Sequence, residues 1–185
     1  FKKVTNINDF KGDGALLFEV PETKFADIIG HDSIKNKLKE ISNLLKSEDV
    51  HTKFNSSCPN GMLLYGESGT GKTMLARALA NESGLPFIQT TANELIDLKT
   101  TDMTTMKKVF LRAKEYSPSI IFIDEIDTIG SREKNGNKFI INELLTQLDG
   151  FCKNENIFII AATNYKDQID PALLRAGRIE LHFEV

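Results

Sequence analysis

The chain has 185 residues, 41% of them hydrophobic and 26% charged, with 23 basic and 26 acidic side chains and a formal net charge of −3. That length buries a full core in one domain, and the composition is that of a globular protein, not a fibrous or disordered one. The acidic balance argues against a surface that coats nucleic acid, and the longest apolar run, Ile157–Ala162, is far too short to span a membrane.

The two cysteines, Cys58 and Cys152, form no C-x-x-C and read as thiols of a reducing compartment, cytoplasmic or on the matrix side of an organelle. The chain opens Phe1-Lys2-Lys3 with neither Met nor a signal peptide. It reads as a piece of a longer protein, so a membrane anchor is expected only if encoded outside it.

Residues 1–24 mix charge, Asn and Gly without a period and read as an N-terminal extension. Within it Gly12-Asp13-Gly14 predicts a turn and Leu16–Val20 a short strand that Pro21 ends. The second unit, residues 25–185, opens on Phe25-Ala26-Asp27-Ile28-Ile29-Gly30. Asp32 then stands as an N-cap before a helix marked by Ile34, Leu38, Ile41 and Leu45. Residues 46–60 are polar and end in the turn signal Cys58-Pro59-Asn60-Gly61.

From Gly61 short apolar runs alternate with amphipathic helices. Gly61–Tyr65 predicts a buried strand and Met74–Ala80 a helix. Between them stands Gly66-Glu67-Ser68-Gly69-Thr70-Gly71-Lys72-Thr73, which fits G-x-x-x-x-G-K-[ST] in the strand-loop-helix setting that gives the motif its meaning. The glycines let backbone N–H groups crowd around an anion, and the helix directs its positive end at the same spot. Lys72 supplies a mobile charge for the outer phosphates of a nucleoside triphosphate, and the Thr73 hydroxyl can ligate Mg²⁺. Ser68, Gly69, Thr70, Gly71, Lys72, Thr73 and Met74 are therefore the candidate nucleotide contacts.

Pro86–Thr91 predicts a second strand, and Met103, Met106, Phe110 and Ala113 a helix stopped by Ser117-Pro118. Ile120–Ile123 is a continuous apolar run, the pattern of a strand buried on both faces of a parallel sheet, and it ends in Asp124-Glu125. Asp124 is placed to hold Mg²⁺ and Glu125 to polarise the attacking water. Ile140, Leu144, Leu145 and Leu148 mark a helix closed by Asp149-Gly150, and Ile157–Ala162 predicts another buried strand. Asp170-Pro171 then predicts a capped short helix, and Ile179, Leu181, Phe183 and Val185 alternate with polar residues as an edge strand. Strand and helix in alternation predict an α/β fold whose ligands bind at the carboxyl ends of parallel strands.

Asp124-Glu125-Ile126-Asp127, Leu148-Asp149-Gly150-Phe151, Ala161-Ala162-Thr163-Asn164 and Ile169–Arg178 follow the phosphate loop in order. This set strongly resembles the AAA ATPases, the ring-forming branch of the P-loop proteins, and is most similar to the FtsH-like membrane-anchored proteases and the proteasomal unfoldases. The resemblance covers Phe25 to Val185. It implies a P-loop NTPase fold with a five-stranded parallel sheet in the order 5-1-4-3-2 sandwiched by helices, with the family's helical lid absent from this chain. It also implies Mg-dependent ATP hydrolysis in a ring, a hexamer in most relatives, that remodels or unfolds protein substrates, with or without an adaptor.

By that resemblance Asp27, Ile28 and Ile29 lie against adenine, Asn164 senses the γ-phosphate or attacking water, and Arg178 acts on ATP bound by the neighbouring subunit. Asp149-Gly150-Phe151 matches a motif that signals between subunits, and a helix-ending Gly explains the same residues. Four features depart from the family. Glu67-Ser68 replaces two prolines, and Leu181 stands where a second arginine is usual. In the stretch 94–102, expected to grip substrate, Leu98 is the only candidate residue, and residues 131–138 lack the arginine often found before the following helix. His31, His51 and His182 are scattered and no H-E-x-x-H occurs, so a protease metal centre is not expected here. Two competing readings are a regulatory ring subunit that binds ATP with little turnover, and a nucleic-acid-associated motor. Glu67 and Leu181 favour the first, Asp124 and Glu125 oppose it, and the acidic balance opposes the second.

Overall fold

The computed structural model describes residues 18–46, 59–96, 105–130, 138–152 and 156–185. Six strands, β1 (Phe18–Glu19), β2 (Gly61–Tyr65), β3 (Phe87–Thr91), β4 (Ser119–Asp124), β5 (Ile157–Thr163) and β6 (Leu181–Glu184), form one sheet in the order β1-β3-β4-β5-β2-β6. The five strands β2 to β6 are parallel and keep the order expected from the sequence. To these five β1 adds a sixth, antiparallel strand at the far edge, within the stretch Leu16–Val20 expected to be a short strand, with Phe18 opposite Ile88 and Glu19 opposite Phe87. Phe18 is buried against the Tyr116 ring, 4.5 Å between centroids, which ties so short a strand down.

Side chains alternate across a strand, so the apolar runs feed two cores. Ile121 and Ile123 of β4 and Ile157, Ile159 and Ala161 of β5 face one side, under α3 (Ala92–Ile96), α4 (Thr105–Glu115), α5 (Asp127–Gly130) and α6 (Lys138–Gln147). Ile120, Phe122, Phe158 and Ile160 face the other, under α1 (Asp32–Lys46) and α2 (Lys72–Ser83). Burial on both faces explains why these strands read as unbroken apolar runs. Among the described residues no helix is long and apolar enough to cross a membrane.

The short helix expected after Asp170-Pro171 is instead a series of turns. Asp170 does cap it, its Oδ1 accepting the Ala172 N–H at 2.8 Å. The helix cannot extend because its carbonyls are diverted: Ala172 O accepts from the Arg178 guanidinium, and Leu173 O accepts from Ile179 N–H at 3.2 Å.

Candidate active site

The carboxyl ends of β2, β4 and β5, neighbours in the sheet, bring the phosphate loop, Asp124 and Asn164 together around a cleft of about 290 Å³. The loop leaves β2 at Gly66, whose φ of +148° and position leave no room for a side chain: a Cβ there would lie 2.2 Å from Val185 O. Gly71, at φ +97°, sets the left-handed residue that starts α2, and its carbonyl accepts the Leu75 N–H at 2.9 Å. The positive end of a 12-residue helix is thereby fixed at the loop.

Lys72 is nearly buried, and its Nζ donates to Gly66 O (2.9 Å), Glu67 O (2.6 Å) and Asn164 Oδ1 (2.8 Å). Burial holds its pKa below the ordinary lysine value, with the Asp124 charge partly opposing that shift. The Glu67 side chain is exposed, so its carboxylate leaves the loop interior to the backbone. Ser68 and Gly69 are exposed, Thr70 is half-buried and bonded to Glu67 O, and Met74 is 43% exposed beside the loop.

Thr73 Oγ1 donates to Asp124 Oδ2 over a long 3.4 Å, and Asp124 Oδ1 accepts the Glu125 N–H at 2.9 Å. Glu125 is exposed and holds a left-handed φ of +54°, unfavourable for a residue with a Cβ. Ile126 N–H bonds Ala162 O at 3.0 Å, which pins this turn to β5. Two oxygen donors so close, in a cleft lined by backbone and an ammonium, fit a hard cation bound with a triphosphate. Sequence reasoning missed a neighbouring contact: Asp127 Oδ1 accepts from Thr163 Oγ1 at 2.5 Å, and Thr163 Oγ1 in turn accepts the Tyr165 N–H at 2.9 Å. This joins the acidic turn to the turn carrying Asn164. The signal available was Asp127 itself, an acid three residues past the strand end.

Arg178 lies apart from this cluster. It precedes β6, and Leu181 pairs with Met62 near the start of β2, so Arg178 sits at the amino end of the sheet. Its Nε and Nη2 donate to the two carboxylate oxygens of Asp149 at 2.8 and 2.7 Å, and this forked pair raises its pKa. Nothing in the spacing of Asp149 and Arg178 announces the pairing, because it depends on where β5 and β6 run. Leu181 packs against the core below α1 and α2.

Of the residues matched to adenine, Ile28 is buried in the core while Ile29 is 96% exposed, so the two do not share a face. The Asp27 carboxylate accepts the Lys24 N–H at 2.8 Å. Leu98 and residues 131–137 lie outside the described residues, as does the side chain of Phe151.

The model of the ATPase family associated with various cellular activities (AAA) matches residues 62–185. The chain is 42% identical over 169 residues to an ATP-dependent zinc metalloprotease FtsH of Leptotrichia buccalis, covering 86% of this chain and 22% of that protein. It is 41% identical over 182 residues to the chloroplastic ATP-dependent zinc metalloprotease FTSH 1 of Arabidopsis thaliana, covering 93% of this chain and 25% of that protein. The chain thus spans about a quarter of the length of the curated relatives it matches.

Proposed function

This chain belongs to the AAA family of ATPases, and from that premise we propose that it hydrolyses ATP with Mg²⁺ in a ring of like subunits, driving the handling of protein substrates by a longer protein. The observation that carries the reading is the convergence of Lys72, Asn164, Thr73 and Asp124 through hydrogen bonds of 2.8 and 3.4 Å. Those residues come from three strand ends, and their side-chain chemistry matches the parts that phosphoryl transfer to water needs.

Entry of the triphosphate replaces the acceptors now held by Lys72. Its ammonium leaves Gly66 O, Glu67 O and Asn164 Oδ1 for the β- and γ-phosphates, freeing the Asn164 amide for the γ-phosphate or the attacking water. Thr73 and Asp124 would hold Mg²⁺, whose chemistry when bound is to neutralise charge on the phosphate oxygens. Glu125 takes a proton from the water as its oxygen bonds to the γ-phosphorus and the bond to the ADP oxygen breaks. Arg178 is at the wrong end of its own sheet for this site, and it serves the ATP of the next subunit. The names of the relatives supply the protein-substrate part of the reading, because both are ATP-dependent proteases.

The forked Arg178–Asp149 pair favours a second reading, in which the arginine stays docked and the ring subunit binds ATP without turning it over. Glu125→Gln in the full-length protein separates the two. The proposal expects retained ATP binding, turnover reduced at least about 100-fold and a longer-lived oligomer. Absence of turnover by the assembled wild type would support the second reading instead.

A further inference from the structure

Arg178 can act on a neighbour only if its short turn is held at a fixed place and angle, and the chain holds that turn from an unexpected position. Asn60, just before β2, is buried at 7% exposure although it is polar. Its backbone N–H donates to Glu180 Oε1 at 3.0 Å, and its Nδ2 donates to Gly177 O at 3.0 Å. The second oxygen of the same carboxylate, Glu180 Oε2, accepts the Gly177 N–H at 3.3 Å. Asn60 and Glu180 thus grip both the N–H and the C=O of the residue before Arg178. On the other side of the arginine, Ile179 is wholly buried and its N–H bonds Leu173 O. Below it, Gly61 lets the backbone of Arg178 come so close that a Cβ there would lie 3.0 Å from Arg178 O.

These contacts surround Arg178 on three sides, and none of them touches the chain's own nucleotide cleft. The carboxylate of Glu180 is only half-buried yet spends both oxygens on backbone N–H groups. Such bonds fix direction, since each N–H must point at its oxygen. We propose that Asn60 and Glu180 are positioning residues for Arg178, setting how it is presented to the ATP of the adjoining subunit. This rests on the reading that Arg178 acts in trans. It ties the two ends of β2 together: one end carries the phosphate loop, the other aims the arginine offered next door.

The test uses the full-length protein carrying Glu180→Ala, Glu180→Asp, Asn60→Ala or Arg178→Ala, and separately Lys72→Met as a subunit that cannot bind ATP but keeps Arg178. The proposal expects Glu180→Ala to bind ATP within about twofold of wild type while kcat falls at least about tenfold, with Glu180→Asp recovering part of the loss. Asn60→Ala, which keeps its backbone bond, falls less. Mixed one to one with Lys72→Met, Glu180→Ala regains turnover, to about a quarter of wild type if head-to-tail contacts assemble at random. Wild-type kcat in Glu180→Ala and Asn60→Ala, beside a dead but rescued Arg178→Ala, would overturn the positioning role and leave the trans reading standing. Full turnover in Arg178→Ala would overturn the trans reading itself. Loss of ATP binding in every Glu180 variant would mark the carboxylate as a general support of the fold and overturn the inference as well.

Discussion

Lys72 donates from one ammonium to the backbone of its own loop and to Asn164, so the chain's own acceptors stand where phosphate oxygens are expected. The arrangement has a measurable signature. Its lowered pKa means the folded state binds fewer protons than the unfolded chain between the folded value and the ordinary 10.5. Stability therefore rises with pH through that window, by the sign of the proton difference. Lys72→Met is expected to remove this component, so wild type gains stability relative to the variant as pH climbs toward 10.5, read by chemical denaturation. At neutral pH the variant loses ATP binding while its stability changes by less than about 1 kcal/mol, since lost hydrogen bonds and relieved burial of a charge oppose each other. A large stability loss at neutral pH would show that the lysine holds the loop together.

Among the elements, β1 was half legible. The apolar stretch around Phe18 reads as a strand from residues alone, but its partner does not, because an antiparallel addition to β3 depends on how α2 and α4 leave that edge open. Beside its pairing with β3, the side chains of β1 contribute burial of Phe18 next to Tyr116 and the Glu19–Arg77 pair at 2.9 Å with both side chains about one-third exposed. The first dominates. Phe18→Ala should cost about 3–5 kcal/mol as a large core side chain, and Glu19→Ala less than about 1 kcal/mol as a solvent-screened pair. Urea unfolding of the two variants decides this, and equal losses would refute it. The turns after Asp170 show the opposite lesson. Asp-Pro predicts a helix there and Asp170 does cap the turn, but the helix does not form, because the diversion of the Ala172 carbonyl to Arg178 is tertiary and has no local signature.

For the whole molecule, the phosphate loop was legible because its chemistry lies in eight consecutive residues whose spacing is covalent. Asp124 was legible as a strand-end acid, since parallel strands deliver their carboxyl ends to one edge, whereas Asn164 was marked only by the family resemblance and lies beside Lys72. The forked pair of Arg178 with Asp149 was not, because residues 29 apart in sequence meet only through the order of the sheet. That order also divides the molecule's labour: it gathers the nucleotide residues at one end and leaves Arg178 at the other. On the proposed reading, Arg178 completes the site of a second subunit. The trans role of Arg178 is tested most directly by mixing full-length Arg178→Ala and Lys72→Met subunits, each expected to be inactive alone, and measuring ATP turnover per chain. Recovery to about a quarter of wild type is expected, because intact Arg178 on one subunit would serve intact ATP sites on the other. A mixture as inactive as its parts, or wild-type turnover by Arg178→Ala alone, would contradict it.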